Sequence, residues 1–243
     1  MRLFGLIGNP LTHSFSKKYF TEKFEKESIS ECRYELFPLK TIGELSILLK
    51  ENPELEGLNI TIPYKQQVLP FLNESKLPAG LNACNCINIH DGILTGYNTD
   101  VTGFELSLKP LLRSHHHKAL VLGNGGATAA IAFVLKKLGI DLTIVSRTPD
   151  DASMLSYKKL TGTIVKDHSI IINTTPLGMH PNEDNCPGIP YQYISGKHLL
   201  YDLIYNPAKT LFLEKGEEQG AAIKNGEEML VLQAEESWRI WNQ

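Results

Sequence analysis

The stretch from residue 118 to 139 constrains the fold more than any other, because it combines a strand, a glycine turn and a helix. It reads KALVLGNGGATAAIAFVLKKLG. Gly123, Gly125 and Gly126 would let the backbone approach a pyrophosphate, and the start of the helix offers free N–H groups and a partial positive charge. A strict G-x-G-x-x-G/A pattern would have glycine or alanine at position 128, where this chain has Thr128. The order of strand, turn and helix still favours nucleotide binding over an ordinary tight turn.

The same alternation of strand and helix patterns runs along all 243 residues. It predicts an α/β fold with parallel sheets. Locally, Asp91-Gly92 predicts a hairpin, and Thr41 with Glu44 predicts a capping box that starts a helix. Because the alternation restarts at Ala119, we expect two α/β domains with a cleft between them, the second with a Rossmann-like parallel sheet. The predicted division is a substrate-binding catalytic domain at 1–102 plus 225–243 and a dinucleotide-binding domain at 103–224.

Composition narrows the function classes. The net charge is −3, with 42% hydrophobic and 21% charged residues, so we expect a soluble globular protein that binds neither nucleic acid nor membranes. The four cysteines follow no disulfide framework and no zinc pattern. Cys84 and Cys86 are expected to be reduced thiols on one face of a strand. We therefore predict no metal site and a cytoplasmic location.

The segment GLNITIPYK, which ends at Lys65, places polar residues at the end of a predicted strand. Alternation predicts an apolar face with Ile60 and Ile62 and an opposite face with Asn59 and Thr61. Taken alone, the segment is typical of a surface strand with a solvated lysine. Taken with the other motifs, it predicts that Asn59 and Thr61 line a pocket for a polyol and that Lys65 enters the same pocket as an acid/base.

The second strand of the nucleotide unit ends in Ser146-Arg147-Thr148. An NAD-binding protein usually has an acidic residue here, whereas an arginine with two hydroxyls suits the 2′-phosphate of NADP. The alternative is an arginine on a surface loop. Asp150 and Asp151 would oppose a phosphate if they faced the same way.

Nine motifs in this order resemble those of the shikimate dehydrogenase family, and together they span essentially the whole chain. GLNITIPYK and GYNTD are the most specific, and the glycine turn is the least. The motifs are IGNPLTHSFS (7–16), GLNITIPYK (57–65), ACNCI (83–87), GYNTDVTGF (96–104), GNGGATAA (123–130), SRT (146–148), INTTPLGM (172–179), YDLIYNPAKTLFL (201–213) and NGEEMLVLQAEESW (225–238).

The resemblance implies an NADP-dependent enzyme that reversibly reduces 3-dehydroshikimate to shikimate, as a monomer or a homodimer. It implies Lys65 and Asp100 as the catalytic pair. It implies substrate contacts at Ser14, Ser16, Thr61, Asn85, Tyr205 and Gln233. It implies cofactor contacts at Gly123, Asn124, Gly125, Gly126, Ala127, Ser146, Arg147, Thr148, Thr174 and Met229.

Two alternatives remain at the level of the sequence. One is a quinate/shikimate dehydrogenase that uses NAD. The other is a non-catalytic nucleotide-sensing protein on the same scaffold, in which Lys65 or Asp100 would be replaced. Two departures from the family pattern bear on the cofactor: Ser146 replaces the usual asparagine, and Ala129 stands where a basic residue is common.

Overall fold

The structure, a computed structural model, describes residues 1–11, 14–149 and 151–243. The chain divides into two compact units. Unit 1 comprises Met1–Gly103 and Leu230–Gln243, and unit 2 comprises Phe104–Met229. Within the described ranges, no helix combines the length and the apolar character needed to cross a membrane.

Unit 1 is built on a six-stranded mixed sheet with strands in the order β2-β1-β3-β5-β6-β4. The first three strands are parallel, and the two strands joined at Asp91-Gly92 form an antiparallel hairpin, as predicted. Both turn residues have positive φ, which suits a two-residue hairpin turn. The strands are β1 (Arg2–Gly8), β2 (Cys32–Pro38), β3 (Leu55–Ile60), β4 (Glu74–Ser75), β5 (Cys86–His90) and β6 (Ile93–Tyr97). The helices are α1 (Phe15–Lys26), α2 (Leu45–Glu51), α3 (Tyr64–Gln67), α4 (Thr99–Leu108), which runs past Gly103, and α8 (Glu227–Trp241), which begins in unit 2.

The sheet of unit 1 is buried on both faces, which overturns the expected half-exposed strand at 57–62. In β1, Leu3 and Ile7 enter one core cluster, and Phe4 and Leu6 enter another, as side chains that alternate across a sheet must. The strand β3 ends at Ile60, and Ile62 is 70% exposed rather than part of the apolar face.

Two local predictions were wrong for reasons visible in the packing. Cys84 and Cys86 enter the two opposite core clusters, because Cys84 precedes the strand that Cys86 begins. The predicted capping box does not form: Thr41 makes no side-chain cap bond, and Glu44 accepts from the N–H of Lys40 at 3.0 Å. A single 3₁₀ turn therefore precedes α2.

Unit 2 contains a six-stranded sheet in which every pairing is parallel. Its order is β12-β11-β10-β7-β8-β9, which is the 3-2-1-4-5-6 order of a Rossmann fold, as predicted. The chain reverses direction across the sheet between β7 and β10, where such folds bind ligands. The elements are β7 (Lys118–Leu122), α5 (Thr128–Lys137), β8 (Asp141–Ser146), β9 (Leu155–Ser156), α6 (Gly162–Asp167), β10 (Ile170–Asn173), β11 (Leu199–Asp202), α7 (Leu211–Glu218) and β12 (Ala222–Lys224).

Candidate active site and nucleotide cavity

The glycine turn lies where the sheet of unit 2 changes direction. Gly123 follows β7 with φ of +113°, a backbone conformation that L side chains rarely adopt. A Cβ at this position would lie 2.8 Å from Thr174 Oγ1 and 2.9 Å from Thr175 Cγ2. Around Gly125 and Gly126 the space is open. The turn is therefore packed on one side and accessible on the other, as a phosphate-binding loop requires.

A cavity of about 1120 Å³ opens beside this turn. Its volume lies just above the roughly 300–1,000 Å³ range of small-molecule sites, which fits a ligand as large as a dinucleotide. The described residues that line it are Gly123, Asn124, Gly125, Ser146, Arg147, Thr148, Pro149, Ser156, Tyr157, Lys158, Thr174, Thr175, Pro176, Leu177 and Gly188.

Seven of the ten predicted cofactor residues line this cavity: Gly123, Asn124, Gly125, Ser146, Arg147, Thr148 and Thr174. Gly126, Ala127 and Met229 are not among the described lining residues. Ala127 is the residue before α5, and Met229 is buried, with 6% of its surface exposed.

The hydroxyl of Ser146 holds the backbone at the end of β8. Ser146 is 8% exposed, and its Oγ accepts from the N–H of Thr148 at 3.2 Å, while Arg147 and Thr148 are exposed. Asp151 accepts from the N–H of Ser153 at 2.7 Å and is not among the described lining residues. Asp150 lies outside the described residues.

Sequence reasoning missed the second wall of the cavity, which Ser156, Tyr157 and Lys158 form. They belong to β9 and the 3₁₀ turn that follows it, Tyr157–Lys159. A strand of two residues has no alternation to detect. Thr174 and Thr175, which also line the cavity, follow the end of β10 and belong to the motif INTTPLGM.

The predicted catalytic pair is formed within unit 1. Lys65 Nζ lies 2.6 Å from Asp100 Oδ2, and the side chains are 17% and 11% exposed. Lys65 belongs to α3, and Asp100 lies in the first turn of α4, where the helix dipole favours a negative charge. The ion pair is accessible enough to meet a substrate and shielded enough to hold its geometry.

Hydrogen bonds to backbone carbonyls hold the segments that carry this pair. The carbonyl of Lys65 accepts from the N–H of Cys84 at 2.8 Å. Its neighbour Tyr64 is buried and donates its hydroxyl to the carbonyl of Leu39 at 2.7 Å. Asn98, just before α4, donates to the carbonyl of Ala83 at 2.7 Å. The segment around Cys84 therefore contacts the starts of both α3 and α4.

Thr99, the residue before Asp100, belongs to a buried network of polar side chains. Asn85 accepts from the N–H of Thr99 at 2.6 Å and donates to the Thr99 hydroxyl at 3.1 Å. The same hydroxyl donates to Gln233 Oε1 at 3.3 Å. The network thus joins two predicted substrate ligands, Asn85 and Gln233, which are 3% and 7% exposed.

Asn59, which was predicted to line a polyol pocket, belongs to the same buried network. It is 4% exposed, accepts from the Tyr34 hydroxyl at 2.8 Å and donates to Ser237 Oγ at 2.9 Å. Ser237 comes from α8, which covers this face of the sheet. The alternation of apolar and polar residues along the strand could not predict that α8 covers this face.

The remaining predicted substrate ligands occupy several elements. Ser14 caps α1, and its Oγ accepts from the N–H of Lys17 at 3.2 Å. Burial raises the pKa of Tyr34 well above its usual value, and a hydrogen bond with Ser16 opposes that rise. Thr61 follows β3 and donates its N–H to the carbonyl of Ile7 at 3.0 Å. Tyr205 belongs to unit 2 and is 37% exposed.

Among the described residues, no group of three or more His, Cys, Asp or Glu side chains is arranged to hold a metal ion. All four cysteines are free thiols. Burial raises the pKa of Cys84 to about 11, so this thiol is a packing group near neutral pH.

A Rossmann sheet with a cavity at its glycine turn, together with a unit that carries a shielded Lys–Asp pair, is the arrangement expected of a pyridine-nucleotide-dependent oxidoreductase. The chain is 36% identical to "Shikimate dehydrogenase (NADP(+))" of Carboxydothermus hydrogenoformans over 259 aligned positions, which cover 99% of this chain and 91% of that protein. This chain belongs to the shikimate dehydrogenase family. A family model described as "Shikimate dehydrogenase substrate binding domain" matches residues 6–87.

The solved structures that resemble this chain over nearly its whole length include two dehydrogenases with bound nucleotides. Shikimate 5-dehydrogenase from Thermus thermophilus, in complex with NADP(H) and shikimate, has a TM-score of 0.85 and 28% identity, covering 99% of this chain and 93% of that one. Quinate dehydrogenase from Corynebacterium glutamicum, in complex with NAD, has a TM-score of 0.88 and 25% identity, covering 99% and 93%.

Proposed function

We propose that this chain catalyses the reversible, NADPH-dependent reduction of 3-dehydroshikimate to shikimate. The observation that carries the proposal is the Lys65–Asp100 ion pair, 2.6 Å long and mostly shielded, next to a buried network of amides and hydroxyls. Ketone reduction needs a proton donor for the developing alkoxide, and recognition of a polyol needs paired donors and acceptors. Full-length similarity to the curated relative supports the same reaction.

In this proposal Lys65 is the acid/base. Its ammonium group polarises the ketone oxygen and donates a proton to it during reduction, and the neutral amine takes the proton back during oxidation. Asp100 orients the ammonium group and binds the hydroxyl next to the reacting carbon. Because Asp100 holds Lys65 in place before the substrate arrives, little reorganisation is needed at the moment of proton transfer.

The other substrate contacts are proposed on the same basis. Asn85 and Gln233, held by Thr99, present amide groups to ring hydroxyls, with Thr61 beside the strand end. Ser14 and Ser16 hold the carboxylate at the start of α1. Tyr205 supplies a further contact to the substrate. Unit 1, which carries all of these residues except Tyr205, is proposed as the substrate-binding domain.

Unit 2 is proposed as the dinucleotide-binding domain. When NADPH is bound, it supplies the hydride. The open side of the Gly125-Gly126 turn fits a pyrophosphate, and Arg147 fits a 2′-phosphate. Gly126 and Ala127, at the start of α5, would contribute N–H groups, and Met229 is proposed to lie near the nicotinamide.

One steady-state experiment tests the proposal and its closest rival. Purified protein is assayed with shikimate and with quinate, each against NADP⁺ and NAD⁺. We expect oxidation of shikimate with NADP⁺ to have the highest kcat/KM of the four combinations. A higher kcat/KM for quinate with NAD⁺ would identify a quinate/shikimate dehydrogenase. No turnover in any combination would favour a nucleotide-sensing protein.

We also propose that the protein works in the cytoplasm as a monomer or a homodimer. Four free thiols, two of them buried, fit a reducing compartment. Analytical ultracentrifugation of the purified protein distinguishes the two oligomeric states.

A further inference from the structure

The nucleotide cavity contains a cation outside the sequence motifs. Among the described lining residues, the charged side chains are Arg147 and Lys158, and none is acidic. We infer that Lys158 is a second cationic ligand, beside Arg147, for the 2′-phosphate that distinguishes NADP from NAD. The inference rests on the proposed function, because it assigns a residue to the same cofactor site.

The strand register brings the two cations to one edge of the sheet. The strands β8 and β9 pair in parallel, with Val145 opposite Leu155 and Ser146 opposite Ser156. Neighbouring strands are about 4.8 Å apart. The residues that follow Ser146 and Ser156 therefore leave the sheet side by side. Lys158 follows Ser156 by two residues, as Thr148 follows Ser146.

The turn that carries Lys158 is anchored to the core of unit 2. Leu155 and Tyr157 pack against that core, and Leu160 belongs to it. The N–H of Leu160 donates to the carbonyl of Tyr157 at 3.2 Å, which closes the 3₁₀ turn. A 3₁₀ helix has about three residues per turn, so consecutive side chains point in different directions. Both lysines are exposed, but Lys158 lines the cavity and the neighbouring Lys159 is not among the described lining residues.

The charges of the described lining residues favour an anion in the cavity. Within the described part of the chain, neither Arg147 nor Lys158 takes part in a salt bridge, so both cations are available. A 2′-phosphate carries nearly two negative charges near neutral pH and can accept from both. Because Lys158 is exposed, its contribution is that of a surface ion pair, about 3- to 5-fold in affinity.

Nucleotide fragments test this inference without turnover. The probes are 2′,5′-ADP and 5′-AMP, which differ by the 2′-phosphate, and the measurement is their dissociation constants by isothermal titration calorimetry at low ionic strength. The proteins are wild type, Lys158→Ala, Arg147→Ala and the matched control Lys159→Ala. We expect Lys158→Ala to bind 2′,5′-ADP about 3- to 5-fold more weakly, with 5′-AMP and the Lys159→Ala variant unchanged. The difference in affinity for 2′,5′-ADP between wild type and Lys158→Ala should shrink as salt screens the charges.

Lys158 is excluded as a ligand if Lys158→Ala and Lys159→Ala bind 2′,5′-ADP equally well, whether both match wild type or both are weakened. Equal weakening of 2′,5′-ADP and 5′-AMP in Lys158→Ala would also overturn it, because the lysine would then not act on the 2′-phosphate. Failure of the proposed function looks different, since wild type would not oxidise shikimate in the steady-state assay whatever the fragments show.

Discussion

Replacing Lys65 with methionine tests the catalytic centre most directly. Methionine keeps an unbranched side chain of similar length and removes the ammonium group. Loss of a positioned acid/base lowers rates by about 10²- to 10⁴-fold, so we expect kcat to fall by that factor. The affinity for shikimate should change much less, because the proposed contacts through Asn85, Gln233 and the serines remain.

The geometry of the ion pair predicts how the effects of substituting Lys65 and Asp100 combine in a double variant. Asp100→Asn keeps the shape of the side chain but removes the charge that holds Lys65 Nζ at 2.6 Å. A charge-assisted hydrogen bond contributes about 1.5–3 kcal/mol, which corresponds to roughly 10- to 150-fold in rate if it is all used for positioning. In the absence of Lys65 there is no ammonium group to position, so the kcat of the double variant should be within about tenfold of the kcat of Lys65→Met alone.

The assay measures kcat and KM for shikimate oxidation by the absorbance of NADPH in the four proteins of this cycle. Lys76→Met is the matched control, because Lys76 is an exposed lysine of the same unit and should keep wild-type kcat. Far-ultraviolet circular dichroism and thermal unfolding report whether each variant is folded, because all the substituted residues lie in unit 1. The reasoning is refuted if Lys65→Met keeps more than half of the wild-type kcat, or if the two single effects multiply in the double variant.

Three further predictions concern the nucleotide site and the core of unit 2. Arg147→Ala should reduce the preference for NADPH over NADH by about ten- to a hundredfold, measured as the ratio of the two kcat/KM values; an unchanged ratio would make Arg147 a surface arginine. The buried Tyr157 hydroxyl has no hydrogen-bond partner in the described part of the chain, so Tyr157→Phe should leave the unfolding free energy unchanged or raise it by about 1 kcal/mol. In the matched Tyr191→Phe, loss of the 2.8 Å bond to the Pro187 carbonyl should lower that free energy by about 1 kcal/mol, and urea denaturation measures both. Burial raises the pKa of Asp202 from 3.8 to about 6, against hydrogen bonds from Thr210, Ile204 and Asn173. Between these two pH values Asp202 is ionised in the unfolded chain but protonated in the folded one, so the unfolding free energy should fall by up to about 3 kcal/mol as pH rises from 4 to 6. The variant Asp202→Asn should show no such pH dependence.

Residues next to long strands were predictable, and residues that depend on distant parts of the chain were not. The restart of the strand and helix patterns at Ala119 located β7, which is a short apolar run before the glycine turn, and Asp91-Gly92 located the hairpin. Alternation along 57–62 did not predict that Asn59 is buried, because the helix that covers this face, α8, lies far along the chain. Lys158 was missed because β9 is only two residues long and its pairing with β8 cannot be read from local sequence.

Thr128 shows why a departure from a motif needs its surroundings to be interpreted. The third small residue of the strict pattern allows close packing between the helix and the strand, and a threonine there argues against the motif when read alone. In the structure Thr128 is 2% exposed, and its hydroxyl accepts from the N–H of Gly125 at 3.1 Å and lies 3.0 Å from Thr174 Oγ1. Thr174 in turn donates to the carbonyl of Leu122 at 2.9 Å. The two hydroxyls join the glycine turn to the ends of β7 and β10. Thr128 therefore stabilises the turn through hydrogen bonds that a glycine or alanine at this position could not make.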